Sequence, residues 1–184
     1  DAVPNALFFQ SEIVENDSFE FGKAVRNHEI DTKVLSSPGG SIWESLTISG
    51  MVFDKKLTTY VPPNPACSSA CAFMFFAGNM RNAEGDLGVH QFFSQDTKDS
   101  KQVGTVQYGT QFTVSESISF LNKFSTPPFV FEKMFAQQNM YYFTQNETAE
   151  LNSQAFDDAT QARLSEINTF LEKIEDFMKK KEAE

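Results

Sequence analysis

The chain is poor in the residues that most often announce chemistry. It has two cysteines, two histidines and one tryptophan in 184 residues. Two histidines, with no acidic cluster at ligand spacing and no paired Cys-x-x-Cys, give no metal-site signature. No phosphate-binding glycine fingerprint occurs. Lys and Arg number 15 against 25 Asp and Glu, a formal net charge of -10, which argues against a nucleic-acid surface built from clustered basic residues. The one basic run is Lys179-Lys180-Lys181. No apolar stretch approaches the ~20 residues needed to span a bilayer. The chain begins at Asp1, which reads as a processed or trimmed form whose secretory signal peptide, if it had one, is already gone.

What is present describes a globular chain. Apolar residues make up 40 %, with 20 phenylalanines, enough for one domain with a real core and cramped for two. The stretch from Ala6 to Ile13 is rich in β-formers and reads as a strand, followed by a helix capped by Asp17 or Ser18 and running to Asn27. Thr32 to Ser37 is a second strand, broken at Pro38-Gly39-Gly40. Ser41 with Glu44 forms a capping box for a helix that fades near Lys55. Leu57 to Val61 is a third strand, and Ser69 to Phe76 a helix that Gly78 ends in the left-handed conformation. Leu87 to Phe93 is the next strand, and Ser94 to Gln111 a polar loop. Helices from Val114 to Phe124 and Phe129 to Gln138 flank Pro127-Pro128, before a short strand in "MYYFT" and a second capping box, Thr144 with Glu147. Strand and helix alternate with no repeat and no linker, which predicts an α/β fold with a largely parallel sheet.

The last stretch differs. Leu164, Ile167, Leu171, Ile174 and Met178 follow a 3-4-3-4 spacing, widened by Phe170 and Phe177. This predicts a C-terminal amphipathic helix, packed either on its own domain or on another subunit. The chain therefore divides at residues 1–156 and 157–184.

Three features sit where a strand ends or a helix begins, where ligands collect in open parallel sheets. Gly39 and Gly40 let the backbone turn sharply and bring its N–H groups close to a ligand. Ser68 or Ser69 stands at a helix mouth, where free N–H groups, notably that of Ala70, favour a developing oxyanion; either serine could instead be an ordinary N-cap. His90 lies at a strand end, as a base or as a hydrogen-bonded core residue, whereas His28 reads as a solvated helix cap. Cys67 and Cys71 flank the two serines and fit either one local disulfide in an oxidising compartment or two reduced core thiols.

Taken in order, "SSPGGSIWESLTISGMVFD", "SSACAFMFFAG" and "GVHQF" resemble the Clp-type serine peptidases of the ClpP/crotonase fold. The match covers residues 6 to 93 well and 129 to 151 loosely. The resemblance implies a repeated β-β-α spiral and selects Ser69 over Ser68 by alignment on Ala77-Gly78. It implies Ser69 as nucleophile, His90 as general base and then acid, and the amides of Gly39 or Gly40 and of Ala70 as the oxyanion hole. The Cys-x-Ser-x-Cys arrangement further resembles a bacterial set of Clp-like proteins predicted to be periplasmic, which implies a periplasmic or secreted location, where a Cys67–Cys71 disulfide could clamp the turn. Self-association is implied as well, with residues 94–111 in place of the segment through which family subunits pair. The expected substrate is a peptide or protein. No cofactor is expected, and an ATP-dependent unfoldase would find no ATP in a periplasm.

The pattern departs from the family at the third catalytic group. No aspartate lies between Asp99 and Asp157, and the corresponding stretch offers Gln137 and Asn139, with Gln138 beside them and Glu132 further off. An amide can orient a histidine tautomer but stabilises the imidazolium less than a carboxylate does. Two other readings stay open: an esterase on the same site, and a binding or assembly module that keeps the fold without catalysis.

Overall fold

The computed structural model describes residues 3–64, 66–91, 114–136 and 139–182. Its strands β1 (Ala6–Phe9), β2 (Thr32–Leu35), β3 (Thr58–Val61) and β5 (Met80–Ala83) form a parallel sheet in the order β1-β2-β3-β5. The crossovers carry α1 (Asp17–Asn27), α2 (Ile42–Asp54) and the pair β4 (Cys67–Ser68) and α3 (Ala70–Phe76). A second sheet runs β4-β6-β7, where β6 (Leu87–Val89) is parallel to β4 and antiparallel to β7 (Tyr141–Tyr142). A bridge between Ser37 and Cys67 joins the two sheets. Helix α4 (residues 114–123), α5 (Pro128–Ala136), α6 (Gln145–Leu151) and α7 (Asp158–Glu182) complete the described fold.

Strands β2 and β3 are buried along their whole length, as expected for a parallel sheet covered on both faces. Side chains alternate across the sheet, so Leu35 and Val61 join the larger core with α1, α2 and α3, while Val34 and Tyr60 face Leu164 and Ile167 of α7. Tyr60 also donates to Asn168 Oδ1, 2.7 Å. Lys33 shares the face of Leu35 and is fully buried. Its Nζ lies 3.9 Å from the centre of the Phe21 ring and 4.8 Å from that of Phe9, with no hydrogen-bond partner among the described residues. Burial pushes its ammonium down to about 7, against a weaker upward pull from Asp17.

Several sequence expectations change here. The first strand stops at Phe9, and Ile13 instead makes an isolated bridge to Gly40. Neither Asp17 nor Ser18 caps α1. Asn16 takes the N-cap position in the left-handed region without a side-chain cap bond, the Asp17 carboxylate turns back to the Val14 N–H, 2.8 Å, and the Ser18 N–H goes to Glu44 Oε2, 2.7 Å. Glu44 is therefore missing from the box expected at α2. Ser41 Oγ accepts from Glu44 N, but the Ser41 N–H donates to Ile13 O, 2.9 Å, which leaves the carboxylate free to tie the two helix starts together.

Gly78 has no positive φ; Ala77 ends α3 in the right-handed region. Glycine is required at 78 for space, since a Cβ there would come 2.1 Å from Thr59 Oγ1. Strand β5 was not foreseen. Its sequence, "MRNA", is polar because it forms a sheet edge, capped by Asn152 and Ser153. Arg81 N donates to Ser153 Oγ and Ala83 N to Asn152 Oδ1, while Ser153 N and Asn152 Nδ2 donate back to the carbonyls of Arg81 and Ala83. The loop expected at 94–111 lies outside the described residues.

Candidate active site

Ser69 stands at the N-cap position of α3 without capping it: its side chain makes no bond to the helix backbone. The hydroxyl instead meets His90, with Oγ to Nε2 at 2.7 Å. Ser68 points elsewhere; it is buried and its Oγ bonds the Tyr142 hydroxyl, 3.3 Å. The two adjacent serines therefore have different partners, His90 for Ser69 and Tyr142 for Ser68.

The Ser69 backbone sits at φ 58, ψ -125, a conformation that L residues other than glycine rarely adopt and that costs about 1–3 kcal/mol. Its surroundings over-determine it. Ser68 N donates to Ser37 O and Ser69 N to Gly88 O, each 2.9 Å, and Ala72 N donates to Ser69 O, 3.0 Å. Ser45 Oγ donates to the Ala70 carbonyl from α2. Cys67 and Cys71 are joined by a disulfide across the turn, and both are fully buried. Of the two readings sequence allowed for the cysteines, the bonded one holds.

Gly39 and Gly40 both have positive φ, 105 and 135. A Cβ on Gly39 would fall 2.7 Å from Ser69 Cβ, so only glycine lets this loop lie against the serine. The Gly39 N–H is bound to Ser37 Oγ, 3.2 Å. In the bridge to Gly40, Ile13 bonds the carbonyl of Gly39 and the amide of Ser41, which leaves the Gly40 N–H facing away from Ile13. Among the described residues nothing accepts from the N–H of Gly40 or of Ala70.

His90 follows the last residue of β6 and is half-buried. Its Nδ1 lies against the carbonyl oxygen of Gln91, and the Gln91 side chain in turn donates to the carbonyl of Phe135 in α5. With Nδ1 as the donor, Nε2 presents its lone pair to Ser69. Asn139, offered by sequence as a third member, is exposed and makes no hydrogen bond to His90; Gln137 lies outside the described residues. Sequence reasoning missed the Gln91 carbonyl because a main-chain group carries no residue signature. It missed Tyr142 because "MYYF" read only as a strand.

No protein-family model matches the chain, and no curated protein matches it. Solved structures do: 332 chains match, so the fold is widely shared. Among them is a peptidase from Plasmodium falciparum, with a TM-score of 0.63 over 84 % of this chain and 96 % of that one, at 14 % identity. At that identity the likeness is one of fold.

Proposed function

We propose that the chain is a serine hydrolase acting on peptides, built on a ClpP/crotonase-like fold. The observation that carries this reading is the 2.7 Å contact between Ser69 Oγ and His90 Nε2, made from a strained serine beside two amides without acceptors. His90 takes the Ser69 proton as Oγ attacks the substrate carbonyl carbon. The N–H groups of Gly40 and Ala70 receive the oxyanion. The imidazolium then protonates the leaving amine, and water hydrolyses the acyl-enzyme with His90 again as base. In this scheme the Gln91 carbonyl holds the tautomer, a weaker support for the imidazolium than a carboxylate. The likeness to a solved peptidase adds to the reading through its fold.

The disulfide supports a location outside the reducing cytosol. Exposed Ile174, Phe177 and Met178 on α7 support self-association through that helix. Deletion of 159–184 should then lower the number of subunits per particle in solution; an unchanged oligomeric state would remove α7 from the interface.

The test of the hydrolase is a fluorophosphonate probe. Wild type should label, Ser69→Ala should not, and Ser68→Ala should label near the wild-type rate. Folded wild-type protein that stays unlabelled would instead favour a binding or assembly module. Relative turnover of peptide and ester substrates separates peptidase from esterase.

A further inference from the structure

We propose that the Cys67–Cys71 disulfide is a positioning element for catalysis, so that oxidation during folding arms Ser69. The inference rests on the hydrolase reading above and assigns a role to two residues that chemistry at Ser69 does not itself require. The bond links the residues two before and two after Ser69, closing a ring with the serine midway. Inside that ring lies the unfavourable backbone, φ 58 and ψ -125. On the entering side the chain is held by hydrogen bonds at Ser68 N and Ser69 N. On the leaving side Ser45 Oγ donates to the Ala70 carbonyl and Ala72 N to the Ser69 carbonyl, 3.0 Å, while the Ala70 N–H has no acceptor among the described residues. The disulfide at Cys71 is the covalent restraint added to those two bonds.

The ψ of Ser69 aims the Ala70 N–H, and the same turn sets Oγ at 2.7 Å from His90 Nε2. Two thiols must stand at non-bonded separation, further apart than a covalent pair, so without the bond the turn opens and Ser69 relaxes toward ordinary backbone angles. That one relaxation moves the nucleophile off the histidine and the amide off the oxyanion position together. Proton transfer and oxyanion binding both fail over small displacements, so reactivity falls further than stability does.

Both cysteines are fully buried, which places the step in folding rather than in the finished fold. Each pair of thiols gives two protons and two electrons to a disulfide oxidant, which leaves as a dithiol. A chain that folds in a reducing compartment keeps both thiols and a relaxed serine, so its hydrolytic activity waits for export.

The experiment compares oxidised wild type with the same chain unfolded, reduced with dithiothreitol and refolded under nitrogen. Fluorophosphonate labelling is measured per folded molecule, as a rate against pH, with the folded fraction taken from near-ultraviolet circular dichroism. Cys67→Ala/Cys71→Ala serves as a second route to the unlinked turn if the reduced chain does not refold. The expected result is labelling at least tenfold slower in the unlinked forms at every pH, with the profile's midpoint kept and the rate restored on reoxidation. A bond that only stabilises would lower the melting temperature and leave the rate per folded molecule unchanged, which would overturn the proposal. Oxidised wild type that does not label would instead remove the hydrolase reading, and this inference with it.

Discussion

The two faces of the parallel sheet are covered on different terms. One carries α1, α2 and α3 over a core that extends from Ile13 to Leu151. The other is covered chiefly by α7, with Val3, Val34, Tyr60, Leu164 and Ile167 as its buried residues. The first face carries the buried ammonium of Lys33, and the positive-φ backbones of Gly39, Gly40 and Ser69 gather at the candidate site. A residue held in a costly conformation persists only where its neighbours outvote it, and neighbours are dense there. On the α7 face Arg163 Nε is buried with no hydrogen-bond partner among the described residues, while its terminal nitrogens pair with Asp31 and Glu166, and the outer half of the helix is loosely held. Beyond Leu171 the one hydrogen bond from α7 to the body, among the described residues, runs from Asn64 Nδ2 to Glu175 Oε1, 3.1 Å.

That contrast can be broken in four ways. The largest effect should follow removal of α7. Ending the chain at Asp157 uncovers Val34 and Tyr60 and discards Leu164 and Ile167; the two discarded side chains alone, at about 1.5–3 kcal/mol each, account for a loss of about 3–6 kcal/mol. Ending it at Leu171 should cost under about 1 kcal/mol in the same urea titration. Equal losses would mean that the outer half of the helix is packed after all.

Next comes Lys33. Its folded-state ammonium titrates at about 7 against 10.5 unfolded, so the penalty for burying charge is full below about pH 7 and gone above about pH 10.5. Lys33→Met should therefore raise stability by on the order of 4 kcal/mol at pH 6 and by little at pH 10.5. Wild-type stability should rise across that interval through this group. A gain in the variant that does not depend on pH would show that packing, not charge, was relieved.

Gly40→Ala should rank third. Its Cβ would meet Ile13 O at 2.2 Å and Ile13 N at 2.8 Å, both main-chain atoms that cannot swing aside. A loss of about 3 kcal/mol is expected by denaturation, from overpacking added to an unfavourable φ. The smallest effect, like that of Lys33→Met, is a gain. Ser69→Gly should stabilise the fold by about 1 kcal/mol, because glycine adopts positive φ without penalty, while it abolishes probe labelling. A destabilised Ser69→Gly would mean that the serine backbone is not under strain.

How far the sequence could be read follows the same division between local and distant causes. The helices α2, α6 and α7 were legible because caps and apolar spacing act within one or two turns. The box of Thr144 and Glu147 closes reciprocally, and hydrogen bonds, led by that from the Thr144 N–H, hold the Glu147 carboxyl down to about 2. The same signature at Ser41 and Glu44 closes on one side only, because Ile13, 28 residues earlier, claims the other N–H. Ser69 and His90 could be paired in advance only through the order of three short motifs. The Lys33 position was hidden inside "TKVL", where a lysine reads as the polar member of an apolar run. The group at His90 Nδ1 was illegible in kind, since any residue at position 91 would supply the same carbonyl.

One consequence belongs to the strand that sequence missed. The outward edge of β5 is filled by Asn152 and Ser153, whose side chains and backbone take up the N–H and C=O groups of Arg81 and Ala83. A foreign strand arriving there would find its ladder already occupied by four hydrogen bonds from the molecule's own chain. Fibre growth by edge-to-edge addition is thus stopped on that side before it begins.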